Sequence, residues 1–229
     1  MKKILLAFLI FISSCSPKWN YENVEKWGEL DEKYKFCKLG FNQSPVDVVQ
    51  EFKDNELEFN YQNSDLVKEK IPYQLRLNFY GKSFLTRVKK KYFLQNLTFH
   101  HPSEHFVEGQ PHSLEMQIAH KSDDEQWLIL SVFFEVGEVD NKNYSQLVDF
   151  ILSNAQEQKF NPKNLVNFSD KTFFYDGSFT TPPCLEGVKW YVMKNVINIS
   201  KEQMNKIING AIFAKMNARN LQKFNPEKY

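Results

Sequence analysis

The sequence has little net charge, few glycines and few cysteines, and each shortage excludes some classes of protein. Its 229 residues carry a formal net charge of +1, so charge gives no reason to expect binding to nucleic acid or to a strongly anionic surface. Only 8 residues are glycine, and no repeat or low-complexity tract interrupts the chain. With 42% hydrophobic and 25% charged residues, the composition is that of a single globular domain rather than a disordered chain.

Aromatic residues, by contrast, are abundant. The 21 Phe and 10 Tyr favour a β-rich core filled with aromatic side chains. Alternation of apolar and polar residues, or a continuous apolar run, predicts strands over residues 57–61, 73–79, 97–100 and 128–136. Gly81 and Gly109 are expected in turns.

Two helices are predicted beside these strands. Residues 144–159 carry apolar side chains at helical spacing. A second helix opens at Ser200, which forms a capping-box pattern with Gln203, and Gly210 is expected to stop it. The predicted architecture is therefore mainly β, with a few peripheral helices.

The N-terminus has the pattern of a secretory signal. Lys2 and Lys3 precede an apolar run over residues 4–12, which is too short to cross a bilayer and is followed by small residues and Cys15. The pattern predicts a signal peptide over residues 1–14, a lipidated Cys15 with a tether over 15–21, and a domain over 22–229. Such a lipid would anchor the protein to a membrane of the bacterial cell envelope. The alternative is ordinary cleavage beside a cysteine that carries no lipid.

Two further cysteines, Cys37 and Cys184, remain in a chain that is expected to leave the cytosol. Outside the cytosol a disulfide between them is expected, and it would close a long loop worth about 4 kcal/mol in the chain-entropy model. The alternative is two buried free thiols.

Two predicted strands each have an apolar and a polar side, because side chains alternate across a strand. On the first strand, Leu97, Phe99 and His101 share one side, and Asn96, Thr98 and His100 share the other. On the second strand, Leu114, Met116 and Ile118 are opposed by Glu115, Gln117 and Ala119. If the strands are neighbours, their polar sides line one cavity. The pattern alone favours the alternative, in which these residues face bulk water.

Several segments resemble the signature motifs of the α-carbonic anhydrases. They run in family order as residues 27–30 (WGEL), 42–47 (NQSPVD), 102–105 (PSEH), 114–116 (LEM) and 177–188 (GSFTTPPCLEGV). Residues 217–222 (NARNLQ) resemble the C-terminal stretch of the family, with Asn220 where a proline is usual. The resemblance implies one domain built on a large, mostly antiparallel twisted sheet. It also implies the disulfide between Cys37 and Cys184 that secreted members form.

The resemblance also locates the zinc ligands of the family, which are three histidines. Their positions here hold Thr98, His100 and Gln117, so only His100 keeps the ligand type. His101 is expected to point to the opposite face and cannot easily replace Thr98. A catalytic zinc needs three protein ligands and a water. No metal cofactor is therefore predicted, and zinc enters only under the alternative below.

Other family positions keep polar residues. Thr180 matches the threonine that accepts the hydrogen bond of the zinc hydroxide, and Glu104 matches its carboxylate partner. Glu115 matches the carboxylate that orients the third zinc histidine, and Asn96 matches a polar residue next to the ligands. Tyr73 occupies the position of the proton-shuttle histidine, where an ordinary tyrosine pKa near 10 makes a poor shuttle.

These features predict a carbonic-anhydrase-like envelope lipoprotein without a working zinc site. It would serve as a binding module, with a glycan or another envelope protein as its partner. One alternative is a working carbonic anhydrase with an atypical site of His100, Glu115 and an unidentified third donor. Another is an adhesive or structural protein that does not use its cleft.

Overall fold

In a computed structural model, the described residues are 19–49, 57–166 and 172–223. The predicted signal peptide over residues 1–14 and the predicted lipid-bearing Cys15 lie outside them, and both stay predictions. Among the described helices, none is long and apolar enough to cross a membrane.

Twelve described strands make up most of the fold. In chain order they are β1 (Asp47–Val48), β2 (Leu57–Asn60), β3 (Ser64–Ile71), β4 (Gln74–Tyr80), β5 (Phe84–Arg87), β6 (Lys90–His100), β7 (Phe106–Val107), β8 (Leu114–Lys121), β9 (Trp127–Gly137), β10 (Glu157–Phe160), β11 (Thr172–Ser178) and β12 (Glu186–Ser200). Strands β1 and β7 form a small parallel pair. The other ten strands form one sheet.

The large sheet has the order β10-β3-β4-β6-β8-β9-β12-β11, and β5 branches from β6 to pair with β2. The described pairs of this sheet are antiparallel except β9 with β12, which is parallel. The predicted mainly β, mostly antiparallel architecture is confirmed. All four predicted strands exist, and β6 and β9 extend beyond their predicted bounds.

The helices are short at the N-terminus and longer in the C-terminal half. They are α1 (Trp27–Leu30), α2 (Phe36–Leu39), α3 (Lys142–Leu152) and α4 (Lys201–Ala211), with single 3₁₀ turns at Val24–Lys26, Glu32–Tyr34 and Pro162–Asn164. Helices α3 and α4 contribute apolar side chains to the main core on one face of the sheet. A second, smaller core on the opposite face contains Val46, Phe173 and Trp190.

Helix α3 ends earlier than predicted. The spacing predicted a helix to residue 159, but α3 stops at Leu152, where the Ser153 N–H donates to the carbonyls of Asp149 and Phe150. Residues 157–160 instead form β10 and extend the sheet along the edge of β3. Backbone pairing with a distant strand therefore overrides helix periodicity there.

Helix α4 begins where the capping pattern predicted, because Ser200 Oγ accepts from the Gln203 N–H at 3.1 Å. Gly210 does not stop the helix, which continues to Ala211. The glycine instead allows a close approach of α3. A Cβ at Gly210 would lie 2.6 Å from Cγ2 of Ile151, too close for an ordinary contact.

The disulfide between Cys37 and Cys184 is present and confirms that prediction. It joins α2 to the loop before β12, across 147 residues of chain. The Gln43 side chain reinforces the junction by donating to the Cys184 carbonyl at 3.0 Å. The N-terminal segment is thereby fixed beside the loop that carries Thr180.

Candidate functional site

Strands β6 and β8 are neighbours, and their polar sides meet. Thr98 pairs with Gln117, and His100 pairs with Glu115. A cavity of about 490 Å³ is lined by Thr98, His100 and Gln117. The prediction that the polar sides line one cavity is confirmed, and the alternative of an outer surface facing bulk water is wrong.

The cavity has a polar and an apolar part. Its polar lining includes Gln74, Asn96, Thr98, His100, Gln117 and Thr180. Its apolar lining includes Trp19, Ile71, Pro72, Trp127, Ile129 and Phe179. Clefts of this size, mainly apolar with a few polar groups at fixed positions, are typical of small-ligand sites.

His100 is 1% exposed and is held by the C-terminal segment. Its Nδ1 donates to the carbonyl of Asn217 at 2.8 Å, because a carbonyl can only accept. Nε2 has no partner among the described residues and is the ring nitrogen left for the cavity. His101 is turned away as predicted, with its Nδ1 2.7 Å from the Ser113 carbonyl.

The side-chain amide of Gln117 connects two buried carboxylates. Its Nε2 donates to Glu104 Oε2 at 2.8 Å and to Glu115 Oε1 at 3.0 Å. Carboxylates accept and do not donate, so the NH₂ group must face them and the carbonyl oxygen must face the other way. Since Gln117 lines the cavity, its Oε1 is a hydrogen-bond acceptor directed there.

Glu115 lies behind the cavity floor and is fully buried. Five donors surround its carboxylate: the backbone N–H groups of Glu104 and His105, and the side chains of His105, Gln117 and Ser131. Burial by itself raises the pKa of this group. The charge and hydrogen bonds of His105 are the largest influence against burial, and the pKa is lowered to about 2.

His105 is a satisfied core histidine, as the sequence indicated. It is fully buried, with Nδ1 2.9 Å from Glu115 Oε1 and Nε2 2.6 Å from the Tyr175 hydroxyl. The Tyr175 hydroxyl also bonds Ser44 Oγ at 2.8 Å. Glu115, His105, Tyr175 and Ser44 are therefore joined in one hydrogen-bonded chain.

Glu104 has partners that the sequence did not indicate. Its Oε1 accepts from the backbone N–H of Arg219 at 2.9 Å, and its Oε2 accepts from Gln117. Within the described ranges no hydrogen bond joins Glu104 to Thr180, and their pairing stays a prediction. Thr180 lines the cavity, 4% exposed.

Tyr73 is not in a position to move protons into the cavity. Its hydroxyl donates to the Trp19 carbonyl at 2.6 Å, and its ring packs against the rings of Trp19 and Tyr21. Trp19, rather than Tyr73, is the aromatic residue that lines the cavity at this side. The predicted shuttle position therefore holds a structural tyrosine.

The donors at the floor do not fit zinc. Thr98 and Gln117 offer neutral oxygens, which are poor zinc donors beside histidine, cysteine or carboxylate. Glu115 is engaged by five donors, and Glu104 by two. In the part of the chain that the structure describes, no three His, Cys, Asp or Glu side chains are grouped to hold a metal ion.

The sequence did not identify the residues that hold this floor from the C-terminal side. Asn217 accepts from His100 and donates from Nδ2 to Gln74 and Phe99. The guanidinium of Arg219 donates hydrogen bonds to the Gln43 side chain and to the carbonyls of Ser44 and Cys37. Burial lowers the pKa of Arg219 to about 10, although the charge of Glu104 acts in the opposite direction. Both lie in the motif over residues 217–222, which marked them without showing their partners.

Comparison with known proteins gives a consistent result. The family model described as eukaryotic-type carbonic anhydrase matches residues 22–226. Dioscorin dioA3 of Dioscorea japonica is 30% identical, over 89% of this chain and 82% of its own length. The carbonic anhydrase of Neisseria gonorrhoeae is 30% identical, over 89% of this chain and 85% of its own length. The structure of the Photobacterium profundum α-carbonic anhydrase is 30% identical, with a TM-score of 0.78 over 91% of this chain and 96% of that one.

Proposed function

The chain belongs to the eukaryotic-type carbonic anhydrase family, and we propose that it is a member without zinc and without CO2 hydration activity. It uses its cleft as a binding module for a glycan or another envelope protein. A lipid on Cys15 holds it at a membrane of the bacterial cell envelope.

The observation that carries the proposal is the donor set of the cavity floor. One imidazole, a threonine hydroxyl and a carboxamide stand where the family chemistry needs three imidazoles. In carbonic anhydrase, the well-known example, the bound zinc ion lowers the pKa of its water ligand to about 7. Without a tightly held metal, no hydroxide forms at neutral pH to attack CO2.

The orientation of Gln117 supports the same conclusion. Both N–H bonds of its amide go to Glu104 and Glu115, so those carboxylates are engaged in the fold. For Glu115 to become a metal ligand, it would have to give up hydrogen bonds inside a fully buried site, at about 1–3 kcal/mol for each donor left unpaired. The alternative of a working enzyme with an atypical site therefore has little support in the geometry.

The envelope part of the proposal rests on the N-terminal sequence. Four residues from Cys15 to Trp19 span at most about 14 Å of extended chain. A lipid on Cys15 would therefore keep the cavity wall that Trp19 forms close to the membrane. Incorporation of a labelled fatty acid into the wild-type chain and its loss in Cys15→Ser tests this part.

The catalytic part is tested on the purified chain without its signal. We expect no stoichiometric zinc after dialysis against micromolar zinc, and CO2 hydration no faster than in buffer alone. A carbonic anhydrase of the family, assayed in parallel, is the positive control. Bound zinc at one equivalent, with hydration that a sulfonamide inhibits, would overturn the proposal.

A further inference from the structure

We propose that the cleft binds an uncharged polyhydroxylated ring, such as one neutral sugar unit of a glycan. This inference deepens the proposed function and rests on its claim that the cleft holds a ligand rather than a metal. It follows from the hydrogen-bonding character of the floor, from the charges behind and beside it, and from the aromatic wall.

The floor presents acceptors more than donors. Gln117 Oε1 faces the cavity, because the amide N–H groups are bonded to two carboxylates. His100 Nε2 faces it as an acceptor, because Nδ1 carries the proton donated to Asn217. Thr98 lies on the same side of β6 as His100 and pairs with Gln117 of β8, and its hydroxyl can both donate and accept. Ligand hydroxyl groups are the donors that such a floor requires.

The same floor is unfavourable for an anion. An anionic oxygen would meet the lone pairs of Gln117 Oε1 and His100 Nε2, with the carboxylates of Glu104 and Glu115 directly behind them. The guanidinium of Arg219 does not line the cavity, and three of its N–H groups donate to Gln43, Ser44 and Cys37.

The wall is unfavourable for a cation. Lys121 Nζ lies 5.5 Å from the centre of the Trp127 ring, and the Arg76 side chain lines the cavity. A second cation against that ring would compete with Lys121 and be repelled by it. An uncharged ligand avoids both conflicts.

The aromatic and amide groups suit the two sides of a sugar ring. Trp127 and Phe179 pack edge to face, with ring centres 5.3 Å apart, and offer an apolar wall to ring C–H groups. Across the cavity, Gln74 Oε1 accepts from Asn217, so its NH₂ group is left to donate to a ligand oxygen. The cavity volume of about 490 Å³ is ample for one ring.

The experiment compares four hexose derivatives of similar size and different charge on the full mature chain. Calorimetry or tryptophan fluorescence is used with glucose and N-acetylglucosamine as neutral ligands, glucuronate as the anion and glucosamine as the cation. We expect dissociation constants of about 1 mM for at least one neutral ligand. We expect at least tenfold weaker binding of both charged ones.

Two variants locate the site. Thr98→Val removes a floor hydroxyl at almost constant volume, and Trp127→Ala removes the wall. Each should weaken neutral-sugar binding about tenfold or more. Thr86→Val, on β5 away from the cavity, is the matched control and should leave binding unchanged. Unfolding curves for all three exclude misfolding as the cause.

The outcomes separate this inference from the proposed function. Absence of binding by every neutral sugar, in a protein that also lacks zinc, overturns the inference and leaves the proposed function standing. Glucuronate binding more tightly than glucose, or strengthening as pH falls, overturns the claim of an uncharged ligand. Binding that survives Thr98→Val and Trp127→Ala overturns the location. Stoichiometric zinc with CO2 hydration overturns the proposed function.

Discussion

The two faces of strands β6 and β8 follow different rules. On the face toward α3 and α4, Leu97, Phe99, Met116 and Ile118 are all fully buried among apolar neighbours. On the cleft face, the same strands carry polar side chains whose partners are mostly one another or the C-terminal segment. The first face is constrained by volume, and the second by the pairing of donors with acceptors.

This difference explains how the fold accommodates an altered floor. A core side chain can be replaced only by one of similar size and shape. A polar floor tolerates a change of chemistry as long as every buried group keeps a partner. Gln117 meets that condition, because its amide satisfies one oxygen each of Glu104 and Glu115.

The largest expected effect comes from converting the cleft face toward the zinc-binding pattern. Thr98→His with Gln117→His places imidazoles at two directly paired positions beside His100. We expect zinc affinity to rise at least ten-thousandfold, or about 5.5 kcal/mol, because three imidazoles form a donor set that zinc prefers. Zinc retained through dialysis against a chelator measures this.

Each single variant is the control for that experiment, since two imidazoles hold zinc much more weakly than three. A folded double variant that binds no better than either single one would show that the backbone of the cleft, and not only its side chains, departs from a zinc site.

The next largest effect breaks the apolar face. Phe99→Ala leaves a cavity in the main core and should lower the free energy of unfolding by about 4 kcal/mol. Thr98→Val, the adjacent residue on the cleft face, should change it by about 0.5 kcal/mol or less. Chemical denaturation of both variants measures the contrast. Equal losses would contradict the assignment of the two faces.

A smaller loss is expected at the buried carboxylate. Glu115→Gln puts an amide NH₂ among five donors and should cost about 3 kcal/mol. Glu58→Gln, at an exposed position of β2, is the matched control and should be close to neutral.

The pH dependence of stability, compared between the wild-type chain and Glu115→Gln, sharpens the test. The folded pKa of Glu115, about 2, lies below its unfolded value, so its contribution is full above about pH 4.5 and is lost as pH falls through about 2. Glu115→Gln should flatten stability in that window. If stability falls as steeply in that window in the variant as in the wild-type chain, the acid sensitivity belongs to other groups.

The smallest effect concerns His120, the polar exception on the apolar face of β8. Burial lowers its pKa to about 3, and Nε2 lies 2.6 Å from the Tyr61 hydroxyl. The unfolded chain takes up the proton first as pH falls below about 6.5, so stability is lost from there toward pH 3. Between about pH 7.5 and pH 5.5 we expect His120 to account for a loss of about 1.4 kcal/mol.

His120→Gln should reduce that loss, as followed by urea denaturation at each pH. The conservative His112→Gln, at a half-buried position, is the comparison. If His120→Gln leaves the slope unchanged, the loss in this range belongs to other histidines.

Much of the fold and of the floor was predictable, and the exceptions have a common cause. Strand alternation assigned Thr98, His100 and Gln117 to polar faces that line one cavity only if the two strands are neighbours, and the structure shows that β6 and β8 are neighbours. The predicted helix over residues 144–159 was too long because β10 pairs with an edge that lies far away in sequence. The partners that the structure shows for Glu104 are Gln117 and Arg219, which alternation and motif spacing did not indicate.

The sequence by itself determined which donor atoms stand on each face, because alternation along a strand is local and has a period of two. It therefore determined the count of imidazoles at the floor. Only the tertiary structure decided the hydrogen-bond partners, among them Asn217 for His100 and the two carboxylates for Gln117. Asn217 is far from His100 in the chain and Glu104 lies before β8, while Glu115 is two residues from Gln117 on the same strand. A hydrogen bond forms only when packing brings its two atoms within about 3 Å.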